Sequence, residues 1–362
     1  MNISIPQHII DLKPYVPGKP IEELQKEYGF SRIIKLASNE NPVGVSPLAI
    51  QAMFSAIYQL NRYPDIASLL LRQKLSEFFN VPSANIITGH GSEAIIQTII
   101  RAFVADDEEV LTVNGTFVGF YVISKARGVQ MNLVPLKDYH FDLNAIAEAV
   151  TPKTKCIYLV NPNNPTGTIF TKNELNEFLN SIPDNIIVIV DEAYFEFVKD
   201  NPVFPNTMEY HKDNVITLRS FSKAYGLAGI RLGYGFAHQD LVSYMLKVRL
   251  PFEPGIPSQA AGVAALLDTQ FLEYYLNLNR QGIKFHYDLY DTLGVNYIKT
   301  EANFIMIDFE TEDRVNQIND KLLRKGVIIR PLRPFGLPHC LRVTIGTPEE
   351  NEIFAKHFKT VI

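Results

Sequence analysis

Between residues 66 and 235 the chain alternates short, unbroken apolar runs with longer stretches in which apolar residues recur at helical spacing. The runs at 85–88, 110–113, 131–134, 156–160, 186–190 and 215–218 are rich in Ile and Val and lack polar alternation, the pattern of strands buried on both faces. Stretches 69–79, 92–103, 142–149 and 172–181, and one starting at about 119, carry the helical period. This alternation predicts an α/β fold, a mostly parallel sheet covered by helices on both faces. Ligands bind such sheets beyond the carboxyl ends of the strands. The polar motifs of the chain fall at those ends.

The flanks differ. Residues 1–47 are punctuated by Pro6, Pro14, Pro17, Pro20, Pro42 and Pro47 yet carry Tyr15, Leu36 and Ala37, which predicts an arm packed on the body rather than an independent domain. A helical pattern over 48–60 ends at Arg62-Tyr63-Pro64-Asp65, because proline disfavours helix at the residue before it. Beyond Pro254-Gly255-Ile256-Pro257, residues 258–293 form one long helix or two. Strands at 304–308 and 341–345 with helices at about 314–325 and 349–358 then predict a smaller α/β C-terminal domain. The expected organisation is an arm at 1–47, a large domain at 48–260 and a small domain at 261–362.

Composition narrows the function. An apolar content of 46% over 362 residues supports a full core, and a net charge of −5 without basic blocks argues against nucleic acid as a partner. Cys156 and Cys340 alone suggest a reducing compartment and core-filling roles. The N-terminus has no signal-peptide pattern and no apolar run reaches membrane-spanning length, so a soluble, cytoplasmic protein is expected. The eight histidines show no metal-ligand spacing, and no metal is expected.

Four motifs carry candidate chemistry. In the stretch 215–235, Lys223 follows a buried strand and stands among Ser220, Ser222 and glycines, with Arg231 eight residues on. Lys223 is either a surface lysine in a turn or part of a site for a phosphorylated aldehyde, where the amine forms an imine while hydroxyls and a guanidinium hold the phosphate. Gly89-His90-Gly91-Ser92 is either a plain strand–helix turn or an anion site at a helix N-terminus. Asn161-Pro162-Asn163-Asn164-Pro165-Thr166-Gly167 is either a rigid turn or a mount for an amide that donates to a phenolate oxygen. Asp191 closes the most apolar strand, where a carboxylate requires a cationic or donor partner, or else caps a helix.

The string SFSKAYGLAGIRLGY, together with NPNNPTG, resembles the pyridoxal-phosphate (PLP) aminotransferases of fold type I. The resemblance implies that Lys223 carries the cofactor and that Asp191 pairs with its ring nitrogen. It implies that Asn164 and Tyr194 meet its ring oxygen and that Phe117 stacks on the ring. Gly91, Ser92, Glu93, Ser220, Ser222 and Arg231 then surround the phosphate. Within that superfamily the chain is most similar to the histidinol-phosphate aminotransferases, nearly end to end. The signs are Leu12-Lys13-Pro14-Tyr15-Val16-Pro17-Gly18, LASNENP at 36–42, RYPD at 62–65, GSEAI at 91–95 and RPLRPFGLPHCLRVTIGTPEEN at 330–351. This implies a homodimer with composite sites, in which Tyr63 reaches the neighbouring subunit's cofactor. It also implies that Arg342 clamps the α-carboxylate of glutamate, that Arg330 joins it on the phosphate of histidinol phosphate, and that Tyr15 and Asn39 add substrate contacts. The implied reaction exchanges histidinol phosphate and 2-oxoglutarate for imidazole-acetol phosphate and glutamate by a ping-pong mechanism. The rivals are an aromatic-amino-acid aminotransferase and a PLP decarboxylase such as a threonine-phosphate decarboxylase. Phe117 stands where tyrosine is common, Glu93-Ala94 where Asp-Glu is usual, and Gly115 where proline is usual. At Phe117 stacking survives but a phenol hydrogen bond does not, and any side-chain contact at Glu93 is put in question.

Overall fold

The computed structural model describes residues 3–12, 21–30 and 32–362. Its centre is a seven-stranded sheet built from β1 (Ile86–Gly89), β2 (Glu109–Asn114), β3 (Gln130–Pro135), β4 (Thr154–Val160), β5 (Ile187–Asp191), β6 (Val215–Ser220) and β7 (Gly233–Phe236), in the order β1-β7-β6-β5-β4-β2-β3. All neighbours are parallel except β7, which runs antiparallel to both β1 and β6. Every residue of β5 and β6 is buried, as their unbroken apolar runs predict. The apolar pattern does not mark β7, whose sequence is GYGF, and packing explains this. A Cβ on Gly233 would lie 2.4 Å from the Ser92 nitrogen, and one on Gly235 2.9 Å from the Thr217 carbonyl oxygen. The strand passes too close to its neighbours to carry a continuous apolar run.

Helices cover the sheet. Ser92–Phe103 turns Ile95, Ile96, Ile99 and Ile100 inward, and Lys172–Ser181 starts at a reciprocal cap between Thr171 and Glu174. The region at 258–293 is two helices, Ile256–Leu267 and Thr269–Leu293, parted at Asp268, whose side chain caps the second. A second body holds a four-stranded antiparallel sheet in the order Arg330–Pro331, Cys340–Thr344, Phe304–Asp308, Tyr297–Ile298.

The division of the chain departs from the expected boundaries at two places. Leu272 and Leu276 pack with the large body, whereas Leu289 and Tyr290 pack with the small one, so the apolar cores part within the Thr269–Leu293 helix and not at 260. At 25 residues that helix is about 37 Å long and reaches across both bodies. Nor does 1–47 behave as one arm. Strand Ile34–Lys35 pairs in parallel with Val327–Ile328, and Leu24 and Ala37 are buried against Ile328, so this part belongs to the small body. The short helix Gln7–Ile10 instead places the His8 ring beside Gly128 of the large body.

Polar contacts tie the frame together. Arg219 and Glu192, both fully buried, meet at 2.8 Å between the ends of β6 and β5. The guanidinium also donates to Asn206 Oδ1 at 2.7 Å and lies 3.3 Å from the centre of the Phe195 ring, while Glu192 accepts from the Thr207 backbone and hydroxyl. Between the two bodies, Asp308, His339 and Cys340 bring donor atoms within 4.8 Å of one another, a grouping that histidine spacing along the chain does not announce. The Tyr139 hydroxyl fills its middle, donating to Asp308 Oδ2 at 2.7 Å and lying 3.2 Å from His339 Nε2.

Removing one member of a buried ion pair strands the other charge, at a cost of about 3–5 kcal/mol, whereas an exposed pair contributes about 0–1 kcal/mol. Arg219→Met is therefore expected to lower the thermal unfolding midpoint by many degrees. Lys284→Met, which breaks the exposed Lys284–Asp288 pair, should shift it little. Equal shifts in the two variants would contradict this account of the frame.

Candidate active site

The carboxyl ends of β4, β5 and β6 border a cavity of about 320 Å³. β4 delivers the loop carrying Asn164, β5 ends on Asp191, β6 ends on Ser220, and the turn from β6 to β7 supplies Ser222, Lys223 and Arg231. A larger chamber of about 600 Å³ adjoins it, sharing Ser38, Glu93, Phe117, Asn164 and Lys223 and reaching Arg330, Arg342 and Phe335 of the small body. The predicted residues Lys223, Asp191, Tyr194, Asn164, Phe117, Ser92, Glu93, Ser220, Ser222 and Arg231 all border the first cavity.

Asp191 is 3% exposed. Burial pushes its carboxyl up to about 6, opposed by two hydrogen bonds that favour the charged form: Tyr158 Oη donates to Oδ2 at 2.8 Å, and the Ala193 N–H to Oδ1 at 3.1 Å. Lys223 is half-buried, and its amine donates to the Ser38 carbonyl at 3.3 Å. Burial, and then the neighbouring Arg342, push that amine down to about 8, with Glu40 acting in the opposite direction. The Lys223 amine lies 5.8 Å from the centre of the Tyr194 ring.

One end of the cavity favours an anion. Gly91, at φ 81°, precedes the helix Ser92–Phe103, and a Cβ there would come within 2.7 Å of Arg231 Nη2. Only glycine leaves both the left-handed backbone and the room for that guanidinium. The Ser222 N–H donates to Ser220 Oγ at 3.0 Å. Arg231 donates to the Ala228 carbonyl at 3.2 Å and to Glu93 Oε2 at 3.0 Å. The side chain of Glu93 thus has a definite contact, on the arginine of the cradle.

The small body closes the other side. Arg342 stands directly opposite Arg330 in the antiparallel pairing, and both are buried. Arg342 donates to Asn164 Oδ1 and, at 2.7 Å, to the Ala37 carbonyl; its guanidinium lies 5.2 Å from the Phe304 ring centre and 5.6 Å from that of Phe335. Asn39 donates to Tyr194 Oη at 2.8 Å, while its own Oδ1 and N–H are engaged by the Thr344 hydroxyl. Burial pushes the Tyr194 phenol up to about 12, so it is protonated at neutral pH.

One predicted residue among those described is not part of this assembly. Tyr63 is 78% exposed and stacks on Phe252 at 4.2 Å, away from the cavity of its own chain. Tyr15 lies outside the described residues. Conversely, sequence reasoning misses Tyr158. Its signal is a phenol within the apolar run 156–160, two positions before the residue paired with Asp191.

Residues 31–358 match the family "Aminotransferase class I and II". Histidinol-phosphate aminotransferase of Desulfotalea psychrophila is 40% identical over 98% of this chain and 94% of its own. That of Bacillus velezensis is 41% identical over 97% of each. Among solved structures, histidinol-phosphate aminotransferase from Sinorhizobium meliloti in complex with pyridoxal-5'-phosphate aligns with a TM-score of 0.90 at 26% identity, covering 99% of this chain and 98% of that one. Aspartate aminotransferase from Thermus thermophilus shares the fold, with a TM-score of 0.86 at 20% identity over 99% of this chain and 100% of its own. The chain belongs to the class I and II aminotransferases and, among them, to the histidinol-phosphate aminotransferase family.

Proposed function

We propose that this protein moves an amino group between histidinol phosphate and 2-oxoglutarate, giving imidazole-acetol phosphate and glutamate, as a PLP-dependent step of histidine biosynthesis. The observation that carries this reading is one cavity bordered by a recessed amine, a buried carboxylate and an anion cradle, adjoining a chamber with two buried arginines. Those groups fit the cofactor. Asp191 suits the protonated ring nitrogen, because a carboxylate buried without a cation is costly. Ser220, Ser222, Arg231 and the N–H groups of Ser92 and Glu93 suit the phosphate, beside Gly91. Asn164 and Tyr194 suit the ring oxygen, Phe117 the ring face, and Lys223 the aldehyde.

When bound, PLP supplies an electron sink for the charge left on the substrate Cα. The chain provides the rest. Lys223 Nζ, with its lowered proton affinity, would take up and give back the proton of the substrate Cα. Asp191 holds a proton on the ring nitrogen. Arg342 grips the substrate carboxylate and, with Arg330, the phosphate of histidinol phosphate, since a planar guanidinium serves either oxyanion. Tyr15 and Asn39 complete the substrate contacts. The chamber wall of Val118, Val122, Ile123 and Phe335 also suits a phenyl ring, which favours aromatic amino acids as the second candidate substrates.

The active unit in this reading is a homodimer. Phe54, Ile57, Tyr58, Leu60, Tyr63 and Leu70 are exposed on the segment 54–70, with Tyr58 at 90%, and apolar exposure of this kind marks a partner surface. Tyr63 then serves the partner's phosphate cradle. Both cysteines are free and buried, which fits a cytoplasmic setting.

Three outcomes test this reading. In the cofactor-free protein, acetic anhydride should label Lys223 with a pH midpoint near 8, because the neutral amine is the nucleophile; a midpoint near the ordinary lysine value of about 10.4 would contradict the lowered proton affinity. A hydrogen bond to a charged group contributes about 1.5–3 kcal/mol, so Arg330→Met should cut kcat/KM for histidinol phosphate about 10- to 150-fold while largely sparing phenylalanine. Equal losses on both substrates would remove the phosphate role. In the unmodified protein, kcat/KM should favour histidinol phosphate over phenylalanine, and the reverse order would select the aromatic reading.

A further inference from the structure

β4 carries a phenol where its neighbours are aliphatic. Tyr158 is fully buried, and its ring lies flat on Phe120, with centroids 4.1 Å apart and planes 4° from parallel. Burial and this stacking restrict the ring. Tyr158 pairs in register with Ile189, and Val160 with Asp191, so Tyr158 sits one pleat behind Asp191 on the same face of the sheet. Its hydroxyl donates to Asp191 Oδ2 at 2.8 Å, and the residue does not border the cavity. Asp191 is thus held from behind, with its second oxygen taken by the Ala193 N–H.

The contact is one-directional. Burial and the adjacent carboxylate hold the Tyr158 phenol well above its usual range, so it remains a donor at any working pH. Its hydrogen bond is the strongest influence favouring the charged form of Asp191, against burial and the nearby carboxylates of Glu192 and Glu93. A hydrogen bond from an obligate donor stabilises the carboxylate more than the carboxylic acid.

We propose that Tyr158 is a positioning residue that fixes the orientation of Asp191 and keeps it ionised, so that the proton shared between Asp191 and the cofactor's ring nitrogen resides on the nitrogen. The proposal rests on the PLP reading of the cavity. It assigns to a residue outside the cavity the control of how strongly the bound ring withdraws electrons. Tyr158→Phe retains the ring stacked on Phe120 and deletes only the donor.

The test is made on holoenzyme reconstituted with PLP labelled with ¹⁵N at the ring nitrogen. The unmodified protein should give a pyridinium resonance, and Tyr158→Phe should move it toward neutral pyridine. The Kd for PLP should rise about 10-fold, the equivalent of one charge-assisted hydrogen bond. In an Asp191→Asn background, Tyr158→Phe should change that Kd less than about 2-fold, because the two residues act as one unit. An unmoved resonance and an unchanged Kd would overturn the role of Tyr158 while leaving the cofactor reading intact. An equal rise in Kd in the Asp191→Asn background would assign Tyr158 to packing alone. Failure of the unmodified protein to bind PLP would overturn the cofactor reading and this proposal with it.

Discussion

A carboxylate buried at the end of a parallel strand sets the terms for the rest of this molecule. Asp191 is removed from water and held by a phenol and a backbone N–H, and among the described residues no basic side chain is hydrogen bonded to it. Burial holds its proton affinity near 6, above the usual carboxylate range, and an adjacent cation would lower it. The opposite electrostatic problem is solved across the same cavity. Lys223 is recessed beside arginines and gives up its proton near 8. One cavity therefore holds an acid that resists losing its proton and an amine that resists keeping one, an arrangement that suits proton traffic near neutrality.

The walls of this cavity belong to two bodies, and that shapes how the site is held. Asn164 comes from the large sheet and Arg342 from the small one, and they are hydrogen bonded to each other. Tyr194 follows β5 and is held by Asn39, which Thr344 and Asn303 of the small body fix in turn. The residues between 33 and 42 thus run through the site as a seam between the bodies. A shift of one body against the other would alter Arg342, Asn164 and Tyr194 together. The buried Arg219–Glu192 pair lies immediately beside Ser220 and Asp191 in sequence, so the strand ends that present the site are anchored by a charge pair in the core.

Much of this was legible along the chain because it is local. Strand ends, the glycine turn before Ser92, the Asn-Pro loop and the lysine among serines are each contained within a few residues, and their order matches their places around the cavity. What stayed hidden depends on register or on distant parts of the chain. The bond from Tyr158 to Asp191 exists only because β4 and β5 pair in one register, and Asn39 meets Tyr194 across 155 positions. β7 was invisible because close packing demands glycines in place of an apolar run. The proline–glycine break at 254–257 signals a turn, whereas the apolar cores part inside a helix of uninterrupted periodicity, which carries no local boundary signal. Tyr63 is exposed and stacks on Phe252, away from the cavity of its own chain, and a single chain's sequence pattern carries no signal for what covers it.

The central claim is that one small ring is held between Lys223 and Asp191. Its most direct test is borohydride reduction of the PLP-loaded protein followed by peptide mass mapping. The expected result is the reduced cofactor's mass on the peptide containing Lys223, and its loss from that peptide in Lys223→Ala. Cofactor mass fixed on a different lysine, or persisting unchanged in Lys223→Ala, would contradict the account.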